Sequence, residues 1–321
     1  MSNWAFPDHL QPQSDEVQFD LDAALRSMVL LRAEVPEDAF TASVLGTERI
    51  GNGVVIRPDG LVLTIGYLIT EAETLWLTTS DGTVVPGHAL AYDQATGFGL
   101  VLPLGQLNMP VLQRGSTASL EVGDDVIVIS HGGRPHALMA KVVAKREFAG
   151  YWEYVLDEAI FTAPAHPHWS GAALLSDEGR LLGIGSLLVQ EPAGGETVDA
   201  NMFVPIDLLE PILDDLFTTG RSKNPPRPWL GMYTTEMQGN LVVSGLADGG
   251  PADSAGVRLG DLVIEVAGRR VTELAELFRT IWRHGPAGAE VSLTLARGKT
   301  QLQVKVQSGD RNDYLRKPRQ H

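Results

Sequence analysis

One serine and a scatter of histidines carry most of the chemistry this chain can offer. Ser170 lies in the run Ala163-Pro164-Ala165-His166-Pro167-His168-Trp169-Ser170-Gly171-Ala172-Ala173-Leu174. A serine hydroxyl becomes a useful nucleophile only when an imidazole takes its proton and a carboxylate holds that imidazole in the right tautomer. His131, His136, His166 and His168 fall on loop-like segments, and Asp93 lies upstream. Pairing Ser170 with His131, His166 or His168 would make acyl-transfer chemistry, since such triads are defined by geometry rather than chain order. The plain alternative makes these histidines solvated loop residues and Ser170 a turn residue between two strands. His166 and His168 are spaced as two metal ligands would be, but they lack a third, so no metal site is read here. Cysteine is absent, which removes disulfides, thiolate catalysis and cysteine-based metal sites. No cofactor is expected.

The loop around Ser170 resembles the nucleophile loop of HtrA/Do-type serine proteases, I-N-x-G-N-S-G-G-P-L. Upstream, Gly51-Asn52-Gly53-Val54-Val55-Ile56-Arg57-Pro58-Asp59-Gly60-Leu61-Val62-Leu63-Thr64 resembles that family's G-S-G-V-I-I-x-P-D-G-x-I-L-T. The family continues N-x-H-V-V and supplies the general base, whereas this chain continues Ile65-Gly66-Tyr67-Leu68-Ile69. Likewise Asp93-Gln94-Ala95-Thr96-Gly97-Phe98-Gly99-Leu100-Val101-Leu102 resembles D-P-x-T-D-L-A-V-L-K, with Gly97 in place of the orienting aspartate. The resemblance therefore implies a degenerate triad of Ser170, Tyr67 and Gly97. A phenol titrating near pH ~10 cannot take the serine proton at neutral pH, and glycine offers no acceptor. The resemblance also puts His168 and Trp169 where the oxyanion loop is normally small, so the backbone donors there are expected to be disturbed.

Turn chemistry frames the elements that must position these residues. Strand-like runs at 29–33, 53–56, 61–64, 74–78, 126–129, 154–156, 172–175 and 181–184 alternate with Pro58-Asp59-Gly60, Ser80-Asp81-Gly82 and Asp177-Glu178-Gly179. Many short strands joined this way indicate a mostly β protein, a barrel or sandwich. The resemblance sharpens that to two six-stranded antiparallel barrels of the chymotrypsin type. Asp20 is placed to cap a helix bearing Leu21, Ala24, Leu25 and Met28, and a second helix is expected over 207–217.

After a Pro-rich linker at 220–228, the segment 229–307 resembles an α+β PDZ domain. Its landmarks are Trp229-Leu230-Gly231-Met232, Gly250-Pro251-Ala252-Asp253-Ser254-Ala255-Gly256-Val257 and Leu259-Gly260-Asp261-Leu262-Val263-Ile264. Thr272 is placed to cap a helix carrying Leu274, Leu277, Phe278, Ile281 and Trp282. Such a domain takes a peptide C-terminus by strand addition, with backbone N–H groups holding the carboxylate. The implied binding residues are Trp229, Leu230, Gly231, Met232, Leu274 and Phe278. The apolar ones among them have an equally ordinary reading as core. The domains expected are thus a loosely ordered 1–19, a barrel pair at 20–219, the linker, the PDZ unit, and a polar tail at 308–321 with Arg311, Arg316, Lys317 and Arg319.

The 321 residues carry a formal charge of −15 and 44% hydrophobic content. That charge argues against nucleic acid or an anionic membrane as a partner, and no window approaches the ~20 apolar residues of a membrane span. Residues Met1 to Asp22 show neither a basic start nor an apolar run, which reads as a cytoplasmic location. The reading is a proteolytically silent scaffold binding C-terminal or unfolded peptide segments. One rival is an active endopeptidase with a rebuilt base, and another a regulatory subunit of an active homologue. By family analogy the chain forms a trimer through Trp4, Phe6 and Phe19.

Overall fold

A computed structural model describes residues 4–15, 17–193 and 195–316. Lys317 and Arg319 of the basic tail lie outside them.

The first barrel is built from β1 (Met28–Glu34), β2 (Glu48–Val55), β3 (Val62–Ile65), β4 (Thr74–Thr78), β5 (Val84–Tyr92) and β6 (Phe98–Pro103). These strands close in the order β1-β2-β3-β6-β5-β4. In β1, Val29, Leu31 and Ala33 point into the barrel while Arg32 and Glu34 face solvent, as period-2 alternation requires. The second barrel uses β7 (Asp125–Ile129), β8 (Leu138–Gly150), β9 (Tyr154–Ala163), β10 (Ala173–Leu175), β11 (Leu181–Ala193) and β12 (Glu196–Pro205), closed as β10-β11-β12-β9-β8-β7. Val126, Val128, Leu138, Ile160, Leu174 and Phe203 fill it. Closure leaves neither sheet with a free edge.

Helix α1 (Leu21–Arg26) starts where Asp20 accepts from Ala23 N at 2.8 Å, and α2 (Ala42–Leu45) follows β1. The helix expected over 207–217 is shorter. A 3-10 turn at Ile206–Leu208 precedes α3 (Leu213–Thr219), because Pro211 has no N–H to give and disfavours helical backbone before it. The N-terminal segment is also better anchored than expected. Phe6 N–H donates to Pro135 O at 3.0 Å, and the Gln11 amide donates to Phe6 O at 2.6 Å. At the other end, Arg316 is paired with Asp38, and its N–H donates to a Glu71 carboxylate oxygen at 2.7 Å.

A second compact unit comprises Glu147–Asp157 and Asn224–Leu315. Its sheet runs β13-β14-β15-β17-β18, with β13 (Met232–Met237), β14 (Asn240–Leu246), β15 (Leu262–Val266), β17 (Glu290–Arg297) and β18 (Thr300–Gln307); the short β16 (Arg269–Arg270) pairs with β15. Helix α4 (Pro251–Ser254) is a single turn. Helix α5 (Leu274–Trp282) buries Leu274, Ala275, Leu277, Phe278 and Ile281 on the sheet. Thr272 does not cap it. The first helical N–H, that of Leu274, is taken by the Glu236 carboxylate at 2.7 Å. The tip joining β8 to β9 groups with this unit, although sequence alone assigns it to the barrels. Val155 from that tip lies in the same core as Leu230 and Phe278.

Candidate functional site

Tyr67 rides on a 3-10 turn, Gly66–Leu68, directly after β3. The Gly66 N–H donates to Gly97 O at 2.7 Å, which ties the turn to the β5–β6 connection. Gly97 has φ +84°, a left-handed value that ends the turn opened by Asp93. The Asp93 carboxylate accepts from Thr96 N and Thr96 Oγ1, both at 2.8 Å. Asp93 therefore holds its own turn and does not orient an imidazole.

The Ser170 loop is sewn to β2 through Asn52. The Asn52 amide donates to His168 O at 2.9 Å and Ser170 O at 3.1 Å, its backbone N–H donates to Ser170 O at 2.8 Å, and its Oδ1 accepts from His131 N. Tyr67 Oη lies 2.7 Å from Ser170 Oγ and 2.8 Å from Ser186 O. A carbonyl only accepts, so when the phenolic proton serves Ser186 O, the Ser170 hydroxyl donates to the phenol oxygen. Burial pushes the Tyr67 hydroxyl up to about 12, against the opposing hydrogen bonds from Ser170 and the Trp169 indole. At pH 7 roughly one phenol in 10⁵ is then ionised.

Each histidine weighed as a base is engaged elsewhere. His166 is fully buried, and its Nε2 lies 2.8 Å from His136 O, which fixes the proton there. Its Nδ1 is then the acceptor and takes the His168 backbone N–H at 2.9 Å. Burial drives this imidazole down to about 4. His131 Nε2 faces Thr79 O at 3.3 Å, and burial lowers its pKa too. Trp4 stacks on His136 at 4.4 Å between centroids and meets His168 edge-on at 5.0 Å. Among the described residues no imidazole is bonded to Ser170. The His168 N–H, matched by motif to a small oxyanion-loop residue, is taken by His166 Nδ1, which leaves it without a proton to offer an oxyanion. Among the described residues, no group of three His, Cys, Asp or Glu side chains converges as a metal site would need.

In the second unit, the run Trp229-Leu230-Gly231-Met232 forms a small nest of backbone donors. Gly231 has φ +67°, and a Cβ there would lie 2.9 Å from the Ala247 Cβ, so the bend needs glycine. The Leu230 and Met232 side chains are fully buried core, as is Phe278, while Leu274 sits at the edge of the same core. Trp229 packs against Tyr314 at 4.7 Å and bridges to Gly309. Leu230 and Met232, read from sequence either as binding residues or as core, thus lie in the core. Their backbone N–H groups are already occupied by a carboxylate, that of Glu153. Leu230 N lies 3.2 and 3.1 Å from its two oxygens, and Met232 N lies 3.1 Å from Oε1.

Residues 51–184 match the family described as Trypsin-like peptidase domain, and residues 228–307 match PDZ domain. A relative in Hahella chejuensis, named "Probable periplasmic serine endoprotease DegP-like", is 25% identical over 272 residues. The match covers 81% of this chain and 56% of the relative, so the chain spans a little over half that protein's length. The "Serine endoprotease DegS" of Haemophilus influenzae is 23% identical over 275 residues, covering 82% of this chain and 77% of DegS. The chain is a homologue of the HtrA-type serine endoproteases. Among solved structures, the HtrA-type protease AlgW with a tripeptide superposes with a TM-score of 0.54 at 18% identity, over 93% of this chain and 97% of that one. The serine endoprotease from Yersinia pestis gives 0.53 at 21%, over 90% and 95%. At these identities the likeness shows the fold.

The HtrA-type relatives correct one expectation. The names of the DegP-like relatives call them periplasmic, which overturns the cytoplasmic location read from the first residues. No helix among the described residues is long and apolar enough to cross a membrane. The aromatics assigned by analogy to a trimer contact are engaged within the chain: Trp4 on His136, Phe6 on His166 at 5.1 Å, and Phe19 over Gly179. Motif reading brought Tyr67 and Ser170 together but missed Asn52, Ser186 and Glu153. Asn52 carried a faint signal, a polar amide between two strand glycines; Ser186 and Glu153 carried none.

Proposed function

We propose that this HtrA-type homologue binds extended peptide segments without cleaving them. The observation that carries the reading is the partner of Ser170, a buried phenol whose pKa is pushed up to about 12, where the Ser-His-Asp mechanism places an imidazole as general base. The His168 N–H held by His166 supports it further, because a tetrahedral intermediate would lack that donor. The barrel pair over 20–219 serves as a scaffold, and the PDZ unit at 229–307 takes peptide C-termini through the Leu230-Gly231-Met232 nest. Solved HtrA-type structures with a bound tripeptide and decapeptide support peptides as the ligand class. Titration of the whole chain with labelled peptides ending in a free apolar residue, run beside a casein digestion, tests both halves. Binding without cleavage is expected, and casein fragments lost in Ser170→Ala would overturn the reading.

The names of the relatives favour a second reading, an active serine endopeptidase. It requires the Ser170 loop to rearrange so that His131, His166 or His168 reaches Oγ. The same digestion separates the two.

A further inference from the structure

The turn between β8 and β9 has the features of a peptide ligand. Glu153 sits at its tip with φ +62°, a left-handed conformation that strains a residue bearing a side chain. The side chain is almost wholly buried, although a carboxylate is among the groups least tolerant of burial. What it meets there is the donor nest: the N–H groups of Leu230 and Met232 at 3.1–3.2 Å. Two residues before it, Tyr151 O accepts from Thr234 N, the third residue of β13, at 3.2 Å. In β-strand addition, a terminal carboxylate in the nest is followed by a main-chain bond two residues back on the neighbouring strand. Val155 then enters the core, and the stem is clamped by Arg279 of α5, which pairs with both Glu147 and Asp157. Tyr151 packs edge-on to Tyr233 at 6.1 Å.

We infer that the β8–β9 hairpin is the resident ligand of the PDZ groove, with the Glu153 carboxylate standing where the C-terminal carboxylate of another chain would bind. An external peptide therefore enters only by displacing the hairpin, and the tethered segment competes at high effective concentration. This rests on the reading that the groove takes free C-termini. It adds that the groove is closed in cis, and that the acidic tip and the Arg279 clamp set the threshold for opening.

The test uses the full chain. Amide hydrogen exchange at Leu230 and Met232 is compared between wild type and Glu153→Ala. Anisotropy with a fluorescein-labelled peptide ending in a free valine, and with its amidated twin, is measured on both. The expected result is exchange about tenfold faster or more at those two amides and peptide binding about tenfold tighter in Glu153→Ala, as loss of the hydrogen bonds to Leu230 and Met232 implies. The amidated peptide should gain nothing. Should Glu153→Ala fail to fold, Arg279→Ala releases only the stem and should tighten peptide binding by a smaller factor. Unchanged exchange at Leu230 and Met232 overturns the proposal. So does equal peptide affinity in wild type and variant. If the amides respond while neither protein binds any peptide, the resident ligand stands, and the separate reading that the groove accepts C-termini falls.

Discussion

Tyr67 Oη and Ser170 Oγ lie 2.7 Å apart, joining two residues 103 positions distant in the sequence. The contact puts a hydrogen-bonding group within reach of the serine while leaving it unable to accept a proton at neutral pH, since burial pushes the phenol up to about 12. Fluorophosphonate labelling at Ser170 is expected to be absent at pH 7–8, and casein to stay intact. Labelling that vanishes in Ser170→Ala would contradict this.

Removing the phenolic hydroxyl should cost stability rather than activity. In Tyr67→Phe, Ser186 O loses a donor and Ser170 Oγ loses a partner. An unmet buried group costs about 1–3 kcal/mol. Urea denaturation should show an unfolding free energy lower by that amount, through a lower midpoint at unchanged slope; a loss below about 0.5 kcal/mol would mean that water replaces the hydroxyl freely.

Restoring the motif letters is not expected to restore catalysis. Tyr67→His with Gly97→Asp supplies a base and an orienter, but the aspartate must adopt a φ near +84°, at a cost of roughly 1–2 kcal/mol. The His168 N–H also stays bonded to His166 Nδ1. Hydrolysis of a chromogenic peptide should appear only when His166 and His168 are replaced as well. Substantial turnover by the double variant alone would show the loop already competent.

Two buried groups make opposite demands on pH. His166 has its pKa lowered from 6.5 to about 4, so its contribution is full above pH 6.5 and is lost as the pH falls toward 4, by about 3 kcal/mol in all. Thermal stability of the barrels should drop across that window, and the drop should shrink in His166→Gln. Glu153 is raised from 4.5 to about 7, mainly by burial, against the N–H groups of Met232, Leu230 and Gly231 and the charge of Arg311. Tyr233 and Tyr151 are the other titratable groups on this face, and Tyr233 is itself pushed up by burial. Docking of Glu153 is therefore strongest below pH 4.5 and weakens up to pH 7. Peptide affinity of the whole chain should rise over that range and level off above it, and the rise should flatten in Glu153→Gln. A rise continuing beyond pH 8 would assign the effect to another group.

Met232→Glu should unfold the second unit. The side chain is 1% exposed within the PDZ core, and a carboxylate forced there without partners is among the most damaging of single changes, several kcal/mol at least. Far-ultraviolet dichroism and a melting curve decide it. A folded variant that merely fails to bind peptide would place Met232 at the groove surface instead.

Sequence by itself determined the mostly β architecture and which residues stand at the positions matched to the triad. Turn signals such as Pro58-Asp59-Gly60 and period-2 alternation in β1 are local properties, set by backbone sterics and the burial of one strand face. The replacements Tyr67 and Gly97 stand at fixed offsets from such landmarks, so they could be read directly. Strand β5 escaped notice because Pro86 and Gly87 look like a turn, although they lie in the strand, with Pro86 paired to Trp76. Tertiary structure alone decided where the polar groups find partners. The His166 ring turned out to hold the His168 N–H, and Asn52 to hold the Ser170 loop across 116 to 118 residues. The Glu153 carboxylate reached the nest across 77. A buried polar atom must be satisfied by whatever the fold brings near it, and no local pattern records which residue that will be.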